Sequence, residues 1–279
     1  MPTIAEKRKR FRELHESGCF LLPNPWDVGT ARFLQTLGFE AIATTSAGYA
    51  FSQGRPDGGV PRAMMLEHIR QIVEASDLPV NADFEHGYAD DPEGVAESVR
   101  LCVATGVAGL SIEDSTGNPD NPLYDIELGA ARIAAARQAI DESGADVILV
   151  GRAENFFAGK PDLEDAIMRL QAYSEAGADC LYAPGIRTAE QITAVVKAVA
   201  PKPVNVLVGS AGALSVADLA ALGVRRISVG GGLAQVAWAG FVNAATQLKE
   251  SGSFDGFLAA RPPANLNTLF RDDLKARGS

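Results

Sequence analysis

A three-part phrase recurs along the 279-residue chain: an Ala-rich amphipathic segment, a Gly just past its end, and a short apolar run. The junctions read LGFEAI, TGVAGLSI, SGADVILV, AGADCLYA and LGVRRISV. A Gly at that point ends a helix, because it enters the left-handed region without a Cβ penalty, and the run that follows it reads as a strand. This pattern predicts strands at 20–23 (FLLP), 41–45 (AIATT), 79–83 (PVNAD) and 109–113 (GLSIE). Four more are predicted at 147–152 (VILVGR), 180–183 (CLYA), 203–207 (PVNVL) and 226–229 (RISV). Strands that alternate with helices build parallel sheet. Eight units with no Pro/Ser-rich linker predict one closed (β/α)8 barrel over residues 1–250. Residues 251–279 contain no strand and predict a helical tail that packs on the barrel or on a neighbouring subunit. A doubly wound open sheet is the alternative, but it usually carries a Gly-rich phosphate loop after its first strand, and NPWDVGTA is not one.

Composition narrows the function. A hydrophobic content of 47% supports a large core, while a net charge of −10 and a pI near 4.9 argue against nucleic acid and anionic membranes as partners. A local positive charge could still hold an anionic substrate. The start, MPTIAEKRKRFRELHESG, lacks the apolar stretch of a signal peptide. No apolar run reaches the length of a membrane span. Cys19, Cys102 and Cys180 stand apart and odd in number, as expected of reduced thiols. The expectation is a soluble cytoplasmic protein.

In such barrels the chemistry sits at the C-terminal ends of the strands. Strand two runs into Thr45, Ser46, Ala47 and Gly48, and the loop beyond carries GRPDGG with Asp57. Strand three ends in VNADFEHGYAD. Residues two apart on a strand point to the same side, so Asp83 and Glu85 aim their carboxylates at one place, and they either splay into water or share a cation. Strand four supplies Glu113 and Asp114. Strand five supplies Arg152, Glu154 and Asn155, strand six Tyr182 and strand seven Asn205. Several carboxylates facing one Arg suggest a hard divalent cation, with all-oxygen ligation favouring Mg2+ or Mn2+ over zinc. The bland readings are helix capping by strand-end acids and an ion pair of Arg152 with Glu113 or Glu154. By alternation His86 points away from the acidic pair, and His15 and His68 read as surface or packing residues. GGGLAQ at 230–235 reads either as a phosphate cradle or as glycines that close the last barrel turn.

In order and spacing, AIATTSAGYA, GRPDGG, VNADFEHGYA, GLSIEDS, VGRAENF, GADCLYAPG, PVNVL and RRISVGGG resemble the isocitrate lyase and phosphoenolpyruvate mutase superfamily over residues 20–238. The resemblance implies a (β/α)8 barrel whose eighth helix is exchanged between subunits of a homo-oligomer, a dimer or tetramer. It also implies a Mg2+ enzyme acting on a small 2-oxo or 2-hydroxy acid through an enolate. By motif, Thr45, Ser46 and Ala47 would hold the substrate carboxylate, and Asp57 would lie near the reacting centre. Asp83 would be the chief metal ligand, with Glu85 and Glu113 ligating directly or through water. Arg152 would neutralise carboxylate and enolate oxygen, and Asn205 would line the distal pocket.

The departures limit what carries over. Glu85 stands where the superfamily usually has Asp. The Lys-x-Cys-Gly-His loop of the isocitrate and methylisocitrate lyases is replaced by EDSTGNPDNPLYD. Ser115 takes the place of the Lys of phosphonopyruvate-processing members, and Pro184 the place of a His or Glu. With no Cys loop, the proton donor is left as water, Tyr182 or another group. The favoured expectation is a Mg2+-dependent carbon–carbon lyase, by retro-aldol cleavage or oxaloacetate-type decarboxylation. The alternatives are a P–C enzyme of the phosphoenolpyruvate mutase or phosphonopyruvate hydrolase type, and a non-catalytic 2-oxo-acid binding protein.

Overall fold

All eight expected strands are present: β1 (Phe20–Leu22), β2 (Ile42–Ala43), β3 (Val80–Asp83), β4 (Gly109–Glu113), β5 (Ile148–Arg152), β6 (Cys180–Tyr182), β7 (Val204–Leu207) and β8 (Arg226–Ser228). The structure, a computed structural model, describes residues 2–212, 214–259 and 265–278, so residues 260–264 and 279 of the expected tail lie outside the described residues. Two compact units divide the chain, residues 2–231 and the residues from Gly232 onward. The first unit opens with α1 (Ile4–Glu16). Its other helices are α2 (Val28–Thr36), α3 (Ser46–Ser52), α4 (Arg62–Ala75), α5 (Pro92–Ala104), α6 (Ile126–Glu142), α7 (Leu163–Glu175), α8 (Ala189–Val199) and α9 (Val216–Ala221). The second unit consists of α10 (Gly232–Ser251), α11 (Gly256–Ala259) and α12 (Leu266–Arg277).

The strands are parallel and hydrogen-bonded in the order β1-β8-β7-β6-β5-β4-β3-β2, a nearly closed barrel. At the seam between β1 and β2, the Ala43 N–H donates to the Pro23 carbonyl at 3.1 Å. Asn24 reinforces the seam: its amide nitrogen donates to the Thr44 carbonyl at 2.8 Å, and its oxygen accepts from the N–H groups of Val229 and Gly230 at 3.0 and 2.8 Å. Gly230, with φ 52°, thus closes the last barrel turn.

Because strand side chains alternate, each strand feeds two cores. Ile42, Val80, Ala82, Leu110, Ile112, Leu149, Leu181, Val206 and Ile227 face the helix layer. Phe20, Leu22, Ala41, Ala43, Ile148, Val150, Cys180 and Tyr182 face inward, where Phe11 and Leu14 of α1 join them. Gly109 must be Gly for this plug to seat: a Cβ there would lie 2.7 Å from the Phe11 ring and 2.7 Å from the Asn81 side chain. The interior also holds a wholly buried polar layer. Arg226 donates to Asn205 at 2.9 Å and to Asn81 at 3.3 Å, and the Asn205 amide donates to Ser228 at 2.9 Å. His15 and His68, read as surface or packing residues, are both buried.

The helices begin where their sequences provide caps. Asp91 caps α5 with Pro92 behind it, Asp162 caps α7, and Thr188 and Ser215 form capping boxes at α8 and α9. No helix among the described residues is long and apolar enough to cross a membrane.

Candidate active site

Four consecutive strands end in four of the expected site residues: β3 in Asp83, β4 in Glu113, β5 in Arg152 and β6 in Tyr182. The register sets Glu113 beside Arg152 and Arg152 beside Tyr182, and alternation turns all four into the barrel mouth. The Arg152 guanidinium is the hub. It meets Asp83 at 2.7 Å, Glu113 at 3.1 Å and Glu154 at 2.8 Å, and lies 5.0 Å from the Tyr182 ring centroid. Both ion pairs left open from sequence, with Glu113 and with Glu154, therefore form together.

Strand two supplies the facing wall. Thr45, buried, caps α3 by accepting from the Gly48 N–H at 3.2 Å. The Ser46 N–H and hydroxyl both donate to Asp83 at 2.9 Å, and the same hydroxyl lies 3.3 Å from Asp57, which also accepts from the Gly58 N–H. Ala47, half-buried, follows in the first turn of α3.

Glu85 reaches this cluster by a different geometry from the one the sequence suggests. β3 stops at Asp83, so alternation does not extend to Glu85. Residues 84–87 form a turn closed by the Gly87 N–H to the Phe84 carbonyl at 3.0 Å, with Glu85 in the left-handed region at φ 50°. The turn still leaves the Glu85 carboxyl buried among the other acids; its Oε1 makes no well-formed hydrogen bond, although the Tyr88 hydroxyl lies near enough to favour its charged form. His86 lies in the same turn, so its direction is not set by strand alternation either.

Two sequence-level candidates are placed elsewhere. Asn205 is wholly buried, its amide committed to Ser228 and Arg226 beneath the mouth, so it does not line an open distal pocket. Asp114 faces the helix layer. It accepts from the Glu154 N–H at 2.8 Å, from Arg169 at 3.0 Å and from the Tyr173 hydroxyl at 2.6 Å, tying β4, β5 and α7 together. Sequence reasoning passed over Arg132, Arg169 and Tyr173, whose helical positions carry no local signal of these contacts.

The electrostatics of the mouth are one-sided. Asp57, Asp83, Glu85, Glu113 and Glu154 surround Arg152. Burial raises the Glu85 carboxyl to about 7, with repulsion from Asp83 adding to it. Burial also raises Glu113 well above the carboxylate range and raises Glu154, in both cases against the pull of Arg152. Asp57 is raised by burial and by Asp83. Burial alone would depress Arg152, but Glu113, Glu154 and Asp83 hold it well above the usual guanidinium range. Burial pushes Tyr182 up to about 12.

Among the described residues, no group of three or more His, Cys, Asp or Glu forms a ready-made metal cage. The residues do fit a cation of the Mg2+ kind, which takes one or two carboxylates and fills its remaining positions with water and substrate oxygens. The buried oxygen of Glu85 that makes no well-formed hydrogen bond, beside Asp83 in an acid-rich mouth, is the observation that supports this fit.

A (β/α)8 barrel with a carboxylate cluster and one guanidinium at the C-terminal strand ends carries its polar groups where barrel enzymes carry their chemistry. The sequence matches the family described as phosphoenolpyruvate phosphomutase over residues 11–249. The chain belongs to that family, within the phosphoenolpyruvate mutase/isocitrate lyase superfamily. It is similar to a structure from Burkholderia cenocepacia J2315, provisionally described as a lyase/mutase, at 50% identity and TM-score 0.91 over 96% of each chain. It is 32% identical to the oxaloacetate decarboxylase of Paraburkholderia xenovorans (strain LB400), over 79% of this chain and 74% of that one. It is also similar to a phosphonopyruvate hydrolase solved with oxalate and Mg2+, at 26% identity and TM-score 0.84 over 98% of this chain and 97% of that one.

Proposed function

We propose that the protein is a Mg2+-dependent carbon–carbon lyase acting on a small 2-oxo or 2-hydroxy acid, by retro-aldol cleavage or by decarboxylation of an oxaloacetate-type substrate. The observation that carries this reading is the acid cluster around Arg152 with the buried Glu85 oxygen, which makes no well-formed hydrogen bond, beside it. Asp83, Glu85 and Glu113 would hold Mg2+, which supplies Lewis-acid polarisation of the substrate's 2-oxo or 2-hydroxy oxygen when bound. The other roles belong to this chain's own side chains. The Arg152 fork neutralises negative charge as it develops on an enolate oxygen. Thr45, Ser46 and Ala47 receive the substrate carboxylate at the start of α3, with Asp57 close to the reacting carbon. The proton returned to the product carbon comes from water, from the Tyr182 hydroxyl or from another group, the Tyr182 ring lying beside Arg152. Asn205 contributes to the floor through Ser228. Ser115, in place of the Lys of phosphonopyruvate-processing members, favours C–C over P–C cleavage.

The test is a screen of oxaloacetate, substituted malates and phosphonopyruvate with Mg2+, following pyruvate and glyoxylate and repeated with a chelator. Asp83→Ala is compared by calorimetry with Mg2+ alone. The reading expects chelator-sensitive C–C turnover and loss of Mg2+ binding in Asp83→Ala. Wild-type Mg2+ affinity in that variant would remove the proposed metal site. Turnover of phosphonopyruvate alone would move the reaction to P–C cleavage, and binding without turnover would make the protein a 2-oxo-acid binder.

A further inference from the structure

Arg132 of α6 is an arginine buried to 1% exposure, and no carboxylate lies within ion-pair distance among the described residues. A buried guanidinium is costly to desolvate, and burial does depress this one. Its two Nη groups donate instead to main-chain oxygens, while Nε has no hydrogen-bond partner among the described residues. Nη1 donates to the Glu113 carbonyl at 3.2 Å, and Nη2 donates to the Ala89 carbonyl at 2.8 Å and to the His86 carbonyl. The guanidinium lies 4.1 Å from the centroid of the Tyr124 ring, and the Tyr124 hydroxyl donates to Asp90 at 2.5 Å.

These three carbonyls sit where regular structure ends. Glu113 is the last residue of β4, while His86 and Ala89 lie within the loop that follows β3. That loop contains two non-glycine residues in the left-handed region, Glu85 at φ 50° and Tyr88 at φ 57°. A β-strand or helix would satisfy such carbonyls through its own ladder, but here the buried loop depends on a side-chain donor. Residues held in sparsely populated backbone conformations persist only where their surroundings over-determine them. Arg132 touches both sides of the Glu85 turn's exit and the end of the Glu113 strand at once. The Glu113 N–H donates to the Glu85 carbonyl at 3.1 Å, and the Arg132 guanidinium braces that junction from the other side by holding the Glu113 carbonyl together with those of His86 and Ala89.

We propose that Arg132 is a positioning residue that ties the Glu85 turn to the end of the Glu113 strand and so sets the affinity of the acid cluster for Mg2+. The proposal rests on the metal reading given above. It does not concern the charge of Arg132 as such, because the guanidinium spreads its donors over separate nitrogens of a rigid plane, whereas the three donors of a lysine ammonium radiate from one nitrogen on a flexible stem and cannot span the same carbonyls at fixed spacing.

The test is Arg132→Lys, titrated calorimetrically with Mg2+ alone beside wild type and Asp83→Ala, with circular dichroism and thermal melts as folding controls. Mutation of groups that orient metal ligands costs about 10–100-fold in metal affinity, and a loss in that range is expected for folded Arg132→Lys. A lower melting temperature with Mg2+ affinity indistinguishable from wild type would reduce Arg132 to a structural residue and overturn the proposal. If Arg132→Lys does not fold, Arg132→Gln decides instead. Its amide keeps a donor but is too short to span the Glu113, His86 and Ala89 carbonyls, so a loss of Mg2+ affinity is expected, and wild-type binding overturns the proposal. Asp83→Ala separates the two possible failures. If it loses Mg2+ while Arg132→Lys keeps it, only the positioning role falls; if it keeps Mg2+, the metal reading falls and the role goes with it.

Discussion

His68 gives a prediction whose size follows from the structure. It lies on α4 with its ring stacked on Tyr49 of α3, centroids 3.8 Å apart and planes within 7°, and its buried Nε2 has no hydrogen-bond partner. Burial pushes its pKa down to about 4, with Asp27 pulling weakly the other way. An unfolded histidine titrates near 6.5. Between those two values the unfolded chain binds a proton that the folded chain refuses, so the stability contribution is complete above about pH 6.5 and is lost as pH falls towards 4. The gap of roughly 2.5 units, at about 1.36 kcal/mol per unit, amounts to ~3 kcal/mol, of which ~2 kcal/mol is lost between pH 6.5 and 5. His68→Phe keeps an aromatic ring on Tyr49 and removes the titration. Urea denaturation at pH 7.5 and pH 5 should show wild type losing ~2 kcal/mol more than the variant over that interval. His15, held down to about 3 by burial and by Arg226, is present in both proteins and cancels from the difference. Equal losses in the two proteins would refute the reasoning. The consequence reaches the site, because α3 begins at Ser46, whose N–H and hydroxyl hold Asp83.

Two further outcomes are expected. Arg152→Met leaves Asp83, Glu113 and Glu154 without their shared cation. Breaking a buried pair from one side costs about 3–5 kcal/mol, so its thermal midpoint should fall well below that of wild type, and an unchanged midpoint would contradict the hub role. The chain from Gly232 onward exposes Val236, Phe241, Phe254, Phe257 and Leu258, more apolar surface than a monomer usually leaves uncovered. Light scattering should report a homo-oligomer, and a monomer at working concentration would count against it.

The eight strands were legible because each is announced locally by an apolar run, after a Gly for six of them and after Pro79 and Pro203 for β3 and β7. Their ends were less so. Thr44 and Thr45 have strand-like side chains, yet the Thr44 hydroxyl accepts from the Asp83 N–H at 2.9 Å and Thr45 caps α3, so β2 stops at Ala43. The seam was not legible either, since Asn24 acts on residues more than two hundred positions away. At the site, Asp83, Glu113, Arg152 and Tyr182 could be found because strand-terminal polar residues in a barrel share one mouth. Glu85 was found by an alternation that does not operate there; the left-handed turn brings it to the same place by another path. The depth of Asn205 was not legible, because position along a strand does not say how deep in the barrel a side chain sits. It is followed by Leu207 towards the mouth and is paired in register with Arg226, which engages it from within the interior. Arg132 and Arg169 act across 43 and 45 residues on the carbonyls of Ala89 and Tyr124, and no local pattern announces such contacts.

The way this barrel treats its buried arginines separates folding from function. Arg226 is matched with neutral amides, Arg132 with carbonyls, and Arg169 with Asp114 and the partly exposed Asp165. In each case the positive charge is dispersed or balanced nearby, as stability requires of a low-dielectric interior. Around Arg152 the balance fails in the opposite direction. Asp83, Glu113 and Glu154 contact it, while Glu85 and Asp57 crowd the same mouth with carboxyls pushed upward by burial and by repulsion. Folding gains nothing from such an excess, since a protein selected for stability alone would replace surplus buried acids with neutral groups. An acid excess retained at the C-terminal end of a (β/α)8 barrel is what a divalent cation would balance. In the proposed reaction the cation would offset the surplus carboxylates, and the Arg152 guanidinium would offset the charge of an enolate.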